Sequence, residues 1–204
     1  VSDNRSGGPW DATEVEGDGV ERLDLGGLRV TATAGVDVQV QVDETTRAVV
    51  QVTLARPDAG VQVQPYAAPR SGGLWDEVRP QIMSSINAGG GLVEETQGTF
   101  GVEILAQVKS EGTGALQPAR FVGIEGPRWF LRAVFLGAAA RAGEAATVLE
   151  AAVRGLVVVR GQEAMPVGSA IPMALPEQPA PAGEKAPASL PSPFVRGPEI
   201  TETR

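Results

Sequence analysis

At 204 residues, with 42% of them hydrophobic, the chain is long enough for one domain with a sizeable core. Its net charge of −8 and pI near 4.7 argue against general nucleic-acid binding, because most of the surface would repel phosphates. The absence of both Cys and His excludes thiol nucleophiles, disulfides, Ser-His-Asp triads and zinc sites with nitrogen or sulfur ligands; only carboxylate, Lys, Tyr or Arg chemistry remains.

Residues 1–27 hold seven acids against Arg5 and Arg22, which is −5 of the total charge and reads as an extended acidic arm. The segment is polar, with no signal-like apolar stretch, and no window in the chain approaches the length of a membrane span. The arm contains the phrase RSGGPWD at 5–11, which returns as RSGGLWD at 70–76. Two of the three Trp sit inside these copies. A Trp left in water on a polar arm forfeits a burial gain of a few kcal/mol, so Trp10 is expected to dock on the globular part, and the acids after it to meet surface Arg.

Residues 28–161 carry the periodic apolar pattern of a single globular domain. Period-2 strands are predicted at 28–34, 36–42, 48–54 and 60–66. In the second, Val36, Val38, Val40 and Val42 face one way while Asp37, Gln39 and Gln41 face the other, as in an antiparallel sheet with a wet face. A helix follows at about 74–88, where Trp75, Val78, Ile82 and Ile86 form an apolar stripe; Pro80 fits it only near the first turn. Strands return at 91–97 and 99–108, then as a hairpin of 119–124 and 128–137 around the turn at 125–127. An Ala-rich helix at about 138–155 and a short strand at 155–161 close the domain. Runs of this order mean α+β, with an antiparallel sheet of about seven to nine strands and two main helices. Residues 162–204 hold nine of the sixteen Pro and read as a Pro/Ala-rich, largely disordered tail.

The phrases GPWDATEVEGD, APRSGGLWDEVRPQI, QPARFVGIEGPRWFLRAVFLG and LVVVRG resemble the actinobacterial domain-of-unknown-function family numbered 3710, over about residues 5–175. The resemblance implies a cytoplasmic bacterial protein. Heavy use of Arg, at 15 against two Lys, agrees with GC-rich coding. The order of elements is also similar, in pattern only, to the Mog1/PsbP-like α/β/α sandwich, whose members mostly bind other proteins or act as accessory factors; fold alone does not fix function.

Two places could carry a site. In the first, Arg70, Ser71, Gly72 and Gly73 form a Gly-rich turn into a helix start, where backbone N–H groups and a guanidinium could hold a phosphate or carboxylate. The structural alternative is a tight turn, a helix cap by Ser71 or Asp76, and Trp75 as a core anchor. There is no P-loop spacing. In the second, alternation along GPRWFLRAVF puts Arg128, Phe130, Arg132 and Val134 on one face and Trp129, Leu131, Ala133 and Phe135 on the core face. The Arg face is either a partner or ligand surface, or is covered, with each Arg paired to a structural acid. The carboxylates Glu94–Glu95, Asp76–Glu77, Glu144 and Glu150 show no spacing of a metal or acid/base motif, and solvated faces are their default.

The expectation is therefore a non-enzymatic protein-interaction or accessory module that needs no cofactor or metal and whose partner is another protein. The alternative is a small-anion or nucleotide-binding protein that gathers Arg70, Arg120, Arg128 and Arg132 around a phosphate. Convergence of three of those side chains on one uncovered concave site is the test between them.

Overall fold

A computed structural model describes residues 7–46, 48–110 and 114–175. Arg5 and Ser6 of the first heptad, and the tail from residue 176 on, lie outside the described residues. The fold is α+β. Its strands are β1 (Trp10–Asp11), β2 (Arg22–Asp24), β3 (Leu28–Thr31), β4 (Asp37–Val42), β5 (Ala48–Arg56), β6 (Ala59–Ala67), β7 (Leu92–Gly98), β8 (Gly101–Lys109), β9 (Leu116–Gly126), β10 (Trp129–Gly137), β11 (Val157–Val158) and β12 (Met173–Ala174). Two helices, α1 (Leu74–Ala88) and α2 (Glu144–Arg154), complete it.

Eight strands make the main sheet. Across it run β4, β5, β6, β10, β9, β8 and β7, each antiparallel to its neighbour, with β12 beside one end of β5. A smaller sheet in the order β1-β11-β3-β2 draws on the acidic segment, and β1 is its parallel member. The elements thus reach beyond the 28–161 span that composition suggests. Leu25 is fully buried on one side of it, and Ile171 and Met173 are buried on the other. Few apolar residues are needed to tie such a segment down when its backbone pairs with a sheet.

Sheet alternation sorts the core into two layers. Val61, Val63, Val122, Ile124, Trp129, Leu131 and Phe135 join Leu149 and Val153 of α2 and Leu28 and Val30 of β3 in the larger cluster. On the opposite face Tyr66, Ile104, Phe121 and Phe130 meet Trp75, Val78, Ile82 and Met83 of α1. The helices therefore lie on opposite faces of the sheet. They also lie over different strands: α1 packs on β7, β8 and β9, whereas α2 packs on β5 and β6.

Three local expectations need correction. Pro80 sits in the second turn of α1 and not the first. It is tolerated because Pro80 and Asp76, whose carbonyl it leaves without a helical donor, are both exposed to water. The Ala-rich segment opens with a separate 3₁₀ turn at Ala138–Ala140 before α2 begins. Arg128 is not on a strand face: it occupies the β9–β10 turn with φ 64, in the left-handed region such a tight turn requires.

Strand β9, next to the central β10, is clamped by two indoles. A Cβ on Gly123 would lie 2.3 Å from the Trp75 ring, and one on Gly126 would lie 2.1 Å from the Trp129 ring. Three residues apart on a strand, the two glycines open onto opposite faces. Gly123→Ala is expected to lower stability by about 1–3 kcal/mol through overpacking, and Trp129→Ala by about 3–5 kcal/mol through loss of a fully buried ring. Urea unfolding of the two variants checks both; an unchanged midpoint for either would contradict the clamp.

Candidate functional site

The two copies of the heptad do opposite things with the same residues. In the first copy Asp11 is buried and Trp10 only half-buried. The Trp10 N–H donates to the Leu156 carbonyl at 2.9 Å, and Trp10 pairs with Val157 in the small sheet. One Asp11 carboxylate oxygen accepts from the Thr13 N–H at 3.0 Å, and Glu14 closes a capping box on the Asp11 N–H at 2.6 Å. The other oxygen accepts from the Trp129 indole N–H at 2.9 Å, so the carboxylate joins the N-terminal segment to the centre of the main core. Of the acids that follow, Asp18 pairs with nearby Arg22, and Asp24 pairs with Arg29 across the β2–β3 turn.

In the second copy Trp75 is buried and Asp76 exposed. The Trp75 indole N–H donates to the Val102 carbonyl at 2.7 Å. Gly72 closes a turn on the Pro69 carbonyl, and Gly73 holds the position before the helix with φ 89. Neither Ser71 nor Asp76 caps α1. That task falls to Glu125 of β9, a residue that gave no sign in the sequence. Its two carboxylate oxygens accept the N–H groups of Gly73 and Trp75, each at 2.9 Å. A carboxylate of the chain itself thus occupies the place where the Gly-rich turn could have held a phosphate. A hollow of about 420 Å³ beside it is lined by Ser71, Gly73, Trp75, Asp76, Arg79 and Glu125 among others. Its cation, Arg79, is held by Asp76 at 2.7 Å and Glu95 at 2.8 Å.

The four arginines do not share one concavity. Arg70 is exposed on the loop before α1, near the β9–β10 turn where the Arg128 carbonyl accepts the Ala68 N–H. Arg132 lies further along β10, on the α1 face, with its guanidinium 5.4 Å from the centre of the Tyr66 ring. Arg120 is on the other face. It is 7% exposed and stacks 4.2 Å from the centre of the Phe135 ring. Its guanidinium nitrogens lie 3.3 Å from Glu103 and 2.7 Å from Glu150, so two carboxylates answer one buried cation. Glu103 is only 1% exposed and also accepts the Phe100 N–H at 3.0 Å. The triad forms the inner wall of a hollow of about 480 Å³ between the β7–β8 turn and the start of α2.

Next to that hollow the sheet has no helix over it. Leu105 lines the hollow and is 36% exposed; Leu92 is 63% and Leu116 47% exposed. The strand register puts all three on the Arg120 face of β7, β8 and β9, the part of that face which α2 does not reach. Pro118 and Gln107 lie between them. The diagonally opposite quarter of the sheet is open too, but polar: Gln39, Gln41, Gln51, Thr53, Gln62 and Gln64 face water there.

The sequence pattern of the family described as "Protein of unknown function (DUF3710)" matches residues 8–182, and the chain belongs to that family. No curated protein matches the chain.

Burial is the main cause that lifts the Glu103 carboxyl above the ordinary glutamate range; the Phe100 N–H and Arg120 pull the other way, and Glu150 adds to the rise. A carboxyl raised in this way contributes stability that is complete below the ordinary glutamate pKa and is lost as pH rises through the folded-state value. The wild type should therefore lose stability relative to Glu103→Gln as pH is raised from about 4 to about 8. Thermal unfolding at a series of pH values reads this, and parallel pH profiles would contradict it.

Proposed function

We propose that this family member is a non-enzymatic interaction module of the bacterial cytoplasm that binds another protein through the uncovered leucine-bearing face of β7, β8 and β9. The observation that carries the reading is the set of three leucines, 36–63% exposed, on one sheet face beside the edge strand of the sheet. Large apolar side chains exposed on a sheet face cost solvation free energy unless something covers them, and protein interfaces, where apolar and polar groups are interleaved, are where that cost is recovered. The engagement of the polar groups supports the same reading. Glu125 satisfies the α1 amides, and Glu103 and Glu150 neutralise Arg120, so neither hollow offers an unengaged acid, base or anion-binding group from these sets. The chain has no His or Cys to supply a nucleophile or a general base near neutral pH. No helix among the described residues is long and apolar enough to cross a membrane.

Tagged full-length protein and a Leu92→Asp/Leu105→Asp variant, captured from lysate of the native host, test the proposal. The expected result is a protein retained by the wild type and lost by the variant, at equal melting temperature for the two baits. Equal recovery on both would remove the leucine face as the binding surface.

A further inference from the structure

We infer that the occupant of this face is an extended segment of a partner protein that adds as a strand to the outer edge of β7 and sets an arginine or lysine among apolar residues. The inference rests on the interaction-module reading and gives the partner its chemistry. Among the described residues β7 is hydrogen-bonded to β8 on one side and to nothing on the other. A seven-residue edge of that kind presents backbone N–H and C=O groups in strand register, and an added strand satisfies them. The other end of the sheet, β4, is also an edge, but its valines are half-buried against the main core. At β7 the edge itself carries exposed Leu92, with exposed Leu105 diagonally across on β8.

The residues of β7 specify what can lie opposite. On the leucine face they are Leu92, Glu94 and Thr96; on the α1 face they are Val93, Glu95 and Gln97. The strand carries two glutamates and no cation. Glu95 already holds Arg79, while Glu94 is exposed beside Leu105. Directly opposed residues on paired strands couple, with opposite charges favourable and like charges unfavourable. An incoming strand therefore gains from a basic side chain opposite Glu94 and from apolar ones opposite Leu92 and over Leu105. Lys109 lies at the end of β8 opposite Leu116, its side chain beside Gly90 just before β7 and four residues from Glu94, and Arg141 lies at the rim of the hollow. A second copy of this chain is a poor occupant, since it would bring the same two glutamates and another net charge of −8 to the edge.

The probes are two synthetic peptides in which threonines separate the residues of one face, Thr-Val-Thr-Arg-Thr-Val-Thr and the same with glutamate for arginine, so that valine and the charged residue alternate along a single strand face; each is titrated into ¹⁵N-labelled full-length protein. The arginine peptide should shift the amides of Leu92–Gly98 and slow hydrogen exchange at alternate β7 residues; the glutamate peptide should do neither. Glu94→Lys should weaken the arginine peptide by about threefold to tenfold, the change expected when one cross-strand pair turns from attraction to repulsion. Leu105→Asp should weaken it also, with melting temperature as the check on folding. Equal binding of both peptides, shifts centred on β4, or shifts scattered over the surface would overturn the inference. Dimerisation through β7 without any peptide would overturn it in favour of a second copy. Arginine-peptide binding that appears only after truncation behind Leu175 would overturn it in favour of the chain's own tail, where Arg196 follows Phe194 and Val195. If host capture depends on Leu92 and Leu105 but the arginine peptide has no advantage, the partner chemistry fails and the module stands. If the peptide binds β7 while host capture ignores the leucines, the reverse holds.

Discussion

Coverage is the constraint on which this structure turns. Seven strands side by side span roughly 29 Å at the usual inter-strand spacing, and a helix with its side chains is about 10 Å wide. Two helices of 15 and 11 residues cannot roof both faces of such a sheet. The chain places them diagonally, α1 under one half of one face and α2 over the other half of the opposite face, and lets the small sheet extend the second roof. Two quarters are left open. One is filled with glutamine and threonine, which water solvates well. The other keeps Leu92, Leu105 and Leu116. The contrast between the two open quarters gives the leucines their meaning, because the same fold shows how it treats a surface meant for solvent.

Inside that frame the long-range polar contacts are few and specific. Asp11 binds the Trp129 indole across 118 residues of chain, and Glu125 binds the start of α1 across about fifty. Asp11 lies where the main core meets a segment with little apolar surface of its own, and Glu125 lies where the sheet meets the Gly-rich turn that opens α1. A charged acceptor gives a stronger hydrogen bond than a neutral one, so a single carboxylate can fix such a segment where packing alone is thin.

Most of the architecture was legible in the sequence. Strict alternation in VDVQVQV and RWFLRAVFLG gave the strands and their core faces, and the spacing of Trp75, Val78 and Ile82 gave the first helix. The misreadings share a cause. Short strands such as β1, β2 and β12 owe their existence to backbone pairing with distant partners, and no local pattern encodes that. Arg128 looked like a strand residue because alternation ran on through it, while the turn geometry was set by the two strands closing on each other. The doubled heptad pointed to docking of Trp10; the contacts anchor that copy chiefly through its buried Asp11, with Trp10 only half-buried, whereas the second copy buries its Trp. Glu125 and Glu103 were invisible for the same reason. A carboxylate's importance lies in what faces it across the sheet: Glu125 lies about fifty residues from the amides it caps, and Glu103 lies 17 from the buried Arg120. The leucine face was hidden among ordinary strand leucines, since exposure follows from where a roof ends.

The glutamate that caps α1 also sets a threshold for small anions. Glu125 is carried to the helix amides by a strand of the same rigid sheet, so its local concentration there is at least that of a short tether, in the millimolar range or above. A free phosphate or carboxylate in solution must outcompete a resident that never diffuses away. The Gly-rich turn therefore behaves as a saturated receptor: it has the geometry for anions, and its occupancy is inherited from folding and independent of metabolite levels.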